Sequence, residues 1–446
     1  MAVTVFRDAD ILTVDPSDRV LEGGWLAVED GRIVGLGDSA TMPAGGIDTV
    51  VDLPGHAILP GLVNAHTHSP MVLFRGRAEA ASLLTMEGWW NAIREPELAL
   101  EAADIGPAAA LSYAEMAASG TTLVADQYFF ADEVLAAADE SGLRSVIAYG
   151  IVELGDAERG RRELTNAIEF VDRAAALPAG RCRGWIGPHA PYVDNSEPLL
   201  AAEAAAAVEH GVGLHLHMAV GPDDNALTLS SFGTTAAVAL ERSGFFRARV
   251  LAAHCLDLSD DDIAVFARAG AAIAHCPTAG LRSGRPAIAP VVALRQAGVV
   301  VALGTDNVAA NNSYDLFTEM KLAGLAAAHR EGKAGALPAA ALIRIATIDG
   351  ARALGLGGET GSLEVGKAAD LTIVDLHRLG YSPTPDLATL LVYSGSGRDV
   401  RHVLVRGDWV VRDFRPVRVD LDRLRAAYDA VYRRFWQRVA AREQDA

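Results

Sequence analysis

Eight short apolar runs, each followed by a helix-forming stretch, constrain this chain more than anything else in it. They read HAILPGLVNAH (56–66), TTLVADQ (121–127), RSVIAYG (144–150), RGWIGPH (183–189), VGLHLHM (212–218), RVLAAHC (249–255), AAIAHC (271–276) and VVVALGTD (299–306). Ala-, Leu- and Glu-rich stretches such as PAAALSYAEMAASG (107–120), EPLLAAEAAAAVEHG (197–211) and DDDIAVFARAG (261–271) separate them. Strand alternating with helix implies a parallel sheet, and eight such units close into a barrel. A doubly wound open sheet is the structural rival, but no glycine-rich dinucleotide turn accompanies these runs. The expected fold class is α/β: a (β/α)8 TIM-like barrel over residues 57–359.

The flanks have another texture. VTVFRDADILTV, WLAVEDGRIVGLGD with its turn at Asp30-Gly31, and TVVDLPG form short alternating runs within 1–56; GKAADLTIVDL (366–376) and VRHVLVRGDWVVRD (400–413) resemble them. A lone hairpin is marginal in water. The two ends are therefore expected to pair as one small antiparallel accessory β-sandwich domain, 1–56 with 360–420. LRAAYDAVYRRFWQRVAARE (424–443) is an amphipathic helix inside a closing segment, 421–446. It is expected to dock on its own barrel or on a second subunit, giving a homo-oligomer.

A formal net charge of −18 argues against nucleic-acid and anionic-membrane partners, because phosphate binding needs a basic surface. The three cysteines, Cys182, Cys255 and Cys276, have no paired spacing, so neither a disulfide framework nor a Cys-rich zinc site is expected. Cys255 and Cys276 are read as buried packing residues. The segment MAVTVFRDADILTV alternates and carries charges, unlike a secretory or membrane-spanning stretch, which makes the cytoplasm the default location.

Chemistry in a barrel gathers at the C-terminal ends of the strands. Run one ends in His66-Thr-His68 and run four in His189. Run five carries His215 and His217, and runs six, seven and eight end in His254, His275 and Asp306. A lone histidine is more often a satisfied structural residue, but strand ends of one barrel converge on one mouth. Residues 66 and 68 fall on one side of a strand, as do 215 and 217. His215 is read as a packing or supporting residue as readily as a ligand. Several imidazoles with a carboxylate suit Zn2+ or a similar divalent ion.

PGLVNAHTHSPM (60–71), SGTTLVADQYF (119–129), GPHAPY (187–192), HLHM (215–218), AAHC (252–255), GTDN (304–307) and GKAADLTIVD (366–375) together resemble the amidohydrolase superfamily. The similar subgroup contains methylthioadenosine/S-adenosylhomocysteine deaminase, cytosine deaminase and the s-triazine hydrolases, and the resemblance runs to about residue 413. It implies one divalent metal ion, Zn2+ before Fe2+ or Mn2+, held by His66, His68, His217 and Asp306. It also implies that His254 orients or protonates near the attacking water, and that His189 touches substrate. The physical logic agrees. Such an ion lowers the pKa of the water it binds toward neutrality, and Asp306 can accept the proton. His254 can serve as acid for a leaving amine.

The chain departs from its relatives at one point of consequence. In deaminating relatives a glutamate lies three positions after the strand-five metal histidine; here that position is Val220. Three explanations stay open: a reaction without ring protonation, substitution by Asp223 or Asp224, or a degenerate member. HCPTAGLRSG (275–284) and Asn307 also differ from the usual pattern on the substrate side. Candidate substrate contacts are therefore His189, His275, Trp89, Arg282 and Asn307. Trp89-Trp90 reads either as an aromatic lid or as loop packing. Arg282 and Arg285 read as an anion clamp or as surface residues. The loop acids Glu79 and Glu87 reach the site or stay in solvent. The expected function is hydrolytic deamination of a small nitrogen heterocycle. Non-deaminating hydrolysis of an amide-, amidine- or other leaving-group bond is the alternative, and a non-catalytic binding protein the third reading.

Overall fold

Apolar alternation near the start of the chain yields five strands: β1 (Thr4–Leu12), β2 (Val20–Glu29), β3 (Arg32–Gly37), β4 (Thr49–Asp52) and β5 (His56–Pro60). The computed structural model describes residues 2–83, 85–178, 180–284 and 288–445. Eight further strands follow: β6 (Leu62–Thr67), β7 (Thr121–Tyr128), β8 (Arg144–Ile151), β9 (Cys182–Pro188), β10 (Gly213–Met218), β11 (Arg249–His254), β12 (Ala272–His275) and β13 (Val300–Leu303). The last four are β14 (Leu371–Asp375), β15 (Val400–Val405), β16 (Asp408–Arg412) and β17 (Arg415–Pro416).

Strands β6 to β13 pair in chain order, all parallel, with helices between them. This is the nearly closed (β/α)8 barrel expected from the eight runs. The other strands form one mixed sheet, in the order β17-β16-β15-β14-β5-β1-β2-β3, with β4 beside β1. That sheet is not purely antiparallel, since β1 runs parallel to β4 and β5.

The first apolar run divides between the two sheets. His56–Pro60 stays in the terminal sheet and Leu62–Thr67 opens the barrel, with Gly61 between them. The apolar pattern alone hides this break, because both halves are buried. Gly61 is required there: a Cβ would stand 2.0 Å from Thr122 Oγ1.

Alternation sorts the barrel side chains. Val63, Ala65, Leu123, Ala125, Leu251 and Ala274 share a cluster that reaches Leu354 and Leu356, whereas Leu62, Val124, Ile147, Leu214, Ile273 and Val301 join the helices. An irregularity in β6 between Asn64 and Thr67 shifts this phase where the His-Thr-His motif begins. Such a bulge re-aims the side chains that follow it.

The barrel seam between β6 and β13 is closed largely by side chains. Asn64 Oδ1 accepts from Thr305 N at 3.0 Å and Asn64 Nδ2 donates to Thr305 Oγ1 at 2.8 Å, while Asp306 N donates to the His66 carbonyl at 3.0 Å. Behind it, Asn311 Nδ2 donates to the Thr305 carbonyl at 2.8 Å and to Glu319 Oε1 at 2.9 Å. Thr278 Oγ1 donates to the same carboxyl at 2.5 Å. Burial pushes the Glu319 carboxyl up to about 7 despite these bonds.

A carboxyl whose folded pKa lies above its unfolded value favours folding below the unfolded pKa. That contribution fades as pH rises from about 4.5 to about 7. Glu319→Gln removes the charge and keeps the two bonds to one oxygen, but sets an amide NH2 against Thr278 N, which donates to Oε2 at 3.2 Å. Relative to the wild type, the stability of the variant, read from its thermal midpoint, is expected to improve between pH 4 and pH 8, by an amount on the order of 3 kcal/mol. A difference between the two proteins that does not change with pH contradicts this assignment.

The helix Leu421–Asp445 lies on its own barrel. Tyr428 Oη donates to the Val72 carbonyl and Trp436 Nε1 to the Leu73 carbonyl, both at 2.9 Å, and the Arg77 guanidinium sits 3.7 Å over the Trp436 ring. Among the described residues no helix is long and apolar enough to cross a membrane.

Candidate metal centre and pocket

Three histidines at the barrel mouth present the same ring atom inward. His68 Nδ1 donates to the Gln127 carbonyl at 2.6 Å and His217 Nδ1 to the His189 carbonyl at 2.9 Å. A carbonyl only accepts, so these rings carry their proton on Nδ1 and offer the Nε2 lone pair. The two Nε2 atoms face each other at 3.1 Å. His66 Nδ1 lies 2.8 Å from His215 Nε2, while His66 Nε2 is buried without a hydrogen-bond partner among the described residues. His215 therefore sits behind His66 and orients it, the supporting role of its two readings.

Asp306 Oδ1 completes the convergence, 3.5 Å from His66 Nε2 and 3.6 Å from His68 Nε2. The donor atoms of His66, His68 and His217 lie within 4.8 Å of one another, and so do those of His66, His254 and Asp306. Buried lone pairs aimed at one another are costly unless a cation stands between them, and this donor set suits a divalent ion. Burial, then the neighbouring rings, holds His66 and His217 well below the usual imidazole range. Burial brings His68 down to about 4, although Asp306 opposes it. All three are neutral near pH 7, the form that binds metal.

The strand ends bend to reach this geometry. His254 has φ +71° and Asp306 φ +57°, left-handed values uncommon outside glycine. Strain of this kind costs on the order of 1 kcal/mol or more per residue and gathers at functional sites. Asn307 Nδ2 donates to Asp306 Oδ1 at 2.9 Å and fixes the carboxylate.

A cavity of about 130 Å³ opens against these residues, with room for a small ring-bearing molecule and none for a macromolecule. Trp89, His189, His217, Val220, His254, Asp306 and Asn307 line it. The Trp89 ring packs on His189 with centroids 5.5 Å apart, so Trp89 both borders the pocket and packs its loop.

Ala272 and Ala274 face the barrel interior, the period of two turns His275 away, and its buried ring does not border the pocket. Arg282 does not border the pocket either: Nη1 donates to the Ala309 and Ala310 carbonyls and Nη2 to the Ala78 carbonyl, tying loops together. Arg285 lies outside the described residues. Glu79 and Glu87 are exposed and do not line the pocket, and all three cysteines are buried. Asp223 and Asp224 border the pocket but serve its backbone. Asp223 Oδ2 accepts from Met86 N at 3.2 Å, and Asp224 takes Val220 N at 2.9 Å and Gly221 N at 3.3 Å.

Among the pocket residues missed in the sequence are Glu97, Gln127 and Asp194. Gln127 lies inside the quoted SGTTLVADQYF motif, and its Nε2 donates to the His215 carbonyl at 2.7 Å. Asp194 follows GPHAPY closely enough to have been suspected. Glu97 carries no local signal; it accepts from Tyr128 Oη at 2.7 Å, and burial raises its carboxyl pKa against the pull of Arg94. At His189, burial alone lowers the pKa, but the Asp194 carboxylate outweighs it and raises the group above its ordinary value.

Comparison with known proteins places this geometry among relatives. A model of the Amidohydrolase family matches residues 57–410. The 5'-deoxyadenosine deaminase of Methanosarcina mazei is 38% identical over 420 residues, 94% of this chain and 95% of that protein. The 5-methylthioadenosine/S-adenosylhomocysteine deaminase of Desulforudis audaxviator is 38% identical over 417 residues, 93% and 95% of the two chains. An adenosine deaminase from Xanthomonas campestris with bound zinc superimposes with a TM-score of 0.89 at 30% identity, covering 99% of both chains. The atrazine chlorohydrolase of Arthrobacter aurescens TC1, complexed with zinc, gives 0.86 at 27% identity over 96% of this chain and 100% of that one.

Proposed function

The chain belongs to the amidohydrolase family, and from that premise we propose that it hydrolyses the C–N bond of an amino group on a small nitrogen heterocycle, releasing ammonia. The observation that carries this is the convergence of three histidine Nε2 atoms and the Asp306 carboxylate on the wall of one small pocket. The relatives named for deamination of adenosine derivatives support a nucleoside-type heterocycle as substrate class.

His66, His68, His217 and Asp306 would hold one divalent ion; their donor chemistry and the zinc in the structural neighbours support zinc. Bound there, such an ion makes water acidic enough to lose a proton near neutral pH. The Asp306 carboxylate would be the acceptor for that proton, and Asn307 holds it by donating to Oδ1. His254, beside Asp306 at the mouth, gives a proton to the departing amine. Trp89 and His189 position the heterocycle, and the pocket wall excludes bulk water.

Hydrolysis of a bond that needs no ring protonation is the second reading, and Val220 favours it, since no carboxyl stands at that point of the pocket. The test is metal analysis of the purified full-length protein, followed by ammonia release from 5′-deoxyadenosine, adenosine, pterins and amino-triazines. About one equivalent of zinc and turnover of an adenosine-type compound are expected. Iron or manganese in its place corrects the ion alone. Bound metal without ammonia from any of these, but with cleavage of a chloro- or methylthio-triazine, transfers the reading to the second reaction. Absence of tightly bound metal overturns both and leaves a binding protein.

The same proposal includes barrel and terminal sheet as separate domains, a homo-oligomeric state read by light scattering, and the cytoplasm as location.

A further inference from the structure

The two ring nitrogens of His189 have different surroundings. Nδ1 lies 2.5 Å from Asp194 Oδ2, whereas Nε2 has no protein partner among the described residues, on a ring that borders the pocket. Two further rings pack against the imidazole, Trp89 at 5.5 Å and His217 at 4.7 Å between centroids.

Asp194 is built into this arrangement. Its side chain is 1% exposed, and its second oxygen accepts from Ala190 N at 3.0 Å. Its own carbonyl receives Glu153 N and Leu154 N at 3.0 and 2.9 Å, tying the segment to the end of β8. A buried carboxylate needs a partner for each oxygen, and this one spends one of its two on the His189 ring.

We propose that Asp194 is a positioning residue for the reaction: it keeps the proton of His189 on Nδ1 and locks the ring with Nε2 turned to the substrate. The inference rests on the reading that His189 meets substrate. A carboxylate only accepts, so the hydrogen between the two belongs to Nδ1. Nε2 is then the one polar ring atom left for the pocket, and the group it meets is a polar edge of the heterocycle rather than an apolar substituent. Without Asp194 the imidazole can change tautomer or turn over about χ2, and the edge it presents is no longer defined.

The experiment compares H189Q, D194N and the double variant, metal-loaded and full-length, with 5′-deoxyadenosine as probe. D194N is expected to lower kcat/KM on the order of 10- to 100-fold, the range for a hydrogen bond to a charged group. It is expected to add no further loss in the H189Q background. In protein labelled with ¹⁵N-histidine, the low-field Nδ1 proton signal absent from H189Q should be present in the wild type and lost in D194N. If H189Q leaves kcat/KM unchanged, the reading of His189 as a substrate contact fails first. If H189Q is impaired but D194N is not, or if the two losses multiply, the positioning role is overturned. Should D194N fold poorly, the wild-type spectrum decides alone: a His189 ring without hydrogen on Nδ1 overturns the proposal.

Discussion

Asp306→Asn is expected to lower kcat/KM for ammonia release on the order of a hundred- to ten-thousand-fold, the span for losing a positioned general base, while the protein stays folded. The carboxamide has nearly the same shape, and asparagine tolerates the left-handed backbone at this position (φ +57°) better than most residues. The amide oxygen can still face His66 and His68, now 3.5 and 3.6 Å from the carboxylate. What disappears is the negative charge and the capacity to take a proton. The measurement is steady-state kinetics beside metal content and thermal midpoint. Unchanged kcat/KM at unchanged metal content removes Asp306 from proton handling. Loss of metal together with activity assigns it to holding the ion.

The second large effect is a gain. Val220→Glu is expected to raise ammonia release from adenosine-type compounds on the order of a hundredfold, the lower range for a general acid–base group. Val220 borders the pocket three residues after His217. Its neighbouring acids are occupied, with Asp224 holding Val220 N and Gly221 N and Asp223 holding Met86 N. Neither can swing in without releasing backbone donors, so the position has no carboxyl of its own. A glutamate half-buried there has its pKa raised toward the working range, which suits transfer of a proton to a ring nitrogen. Val220→Leu controls for packing. A glutamate variant no faster than the leucine variant means that ring protonation does not limit this enzyme, and it strengthens the second reading.

How much of this was legible in the sequence follows from how local each cause is. The barrel was readable because eight apolar runs alternate with helical stretches, each a local pattern. His66, His68, His217, His254 and Asp306 were readable because strand ends meet at one mouth. Their approach nevertheless depends on the irregularity between Asn64 and Thr67 and on positive φ at His254 and Asp306, which no period of two announces. His275 lies off the pocket for the converse reason: there the alternation holds, and it points the ring away. Arg282 answers to carbonyls of Ala78, Ala309 and Ala310, partners distant in the chain. Gly61 was hidden because the apolar run crosses it unbroken. Glu97 becomes a pocket residue only through Tyr128 and Arg94, and a glutamate in a polar stretch gives no sign of that.

The barrel seam gives the order of assembly a consequence. Asn64 and Thr305 stand 241 positions apart, yet their bonds and the adjoining His66–Asp306 contact bring the first and last strands together. During synthesis His66 and His68 therefore cannot meet Asp306 until the chain has passed β13, and no amino-terminal fragment ending earlier holds this cluster. Contacts of such separation form slowly, because a long loop must be ordered before they return anything. Once formed, His66 and His68 on one edge of the seam face Asp306 on the other, 3.5 and 3.6 Å away, so the two ends of the barrel meet at the pocket itself.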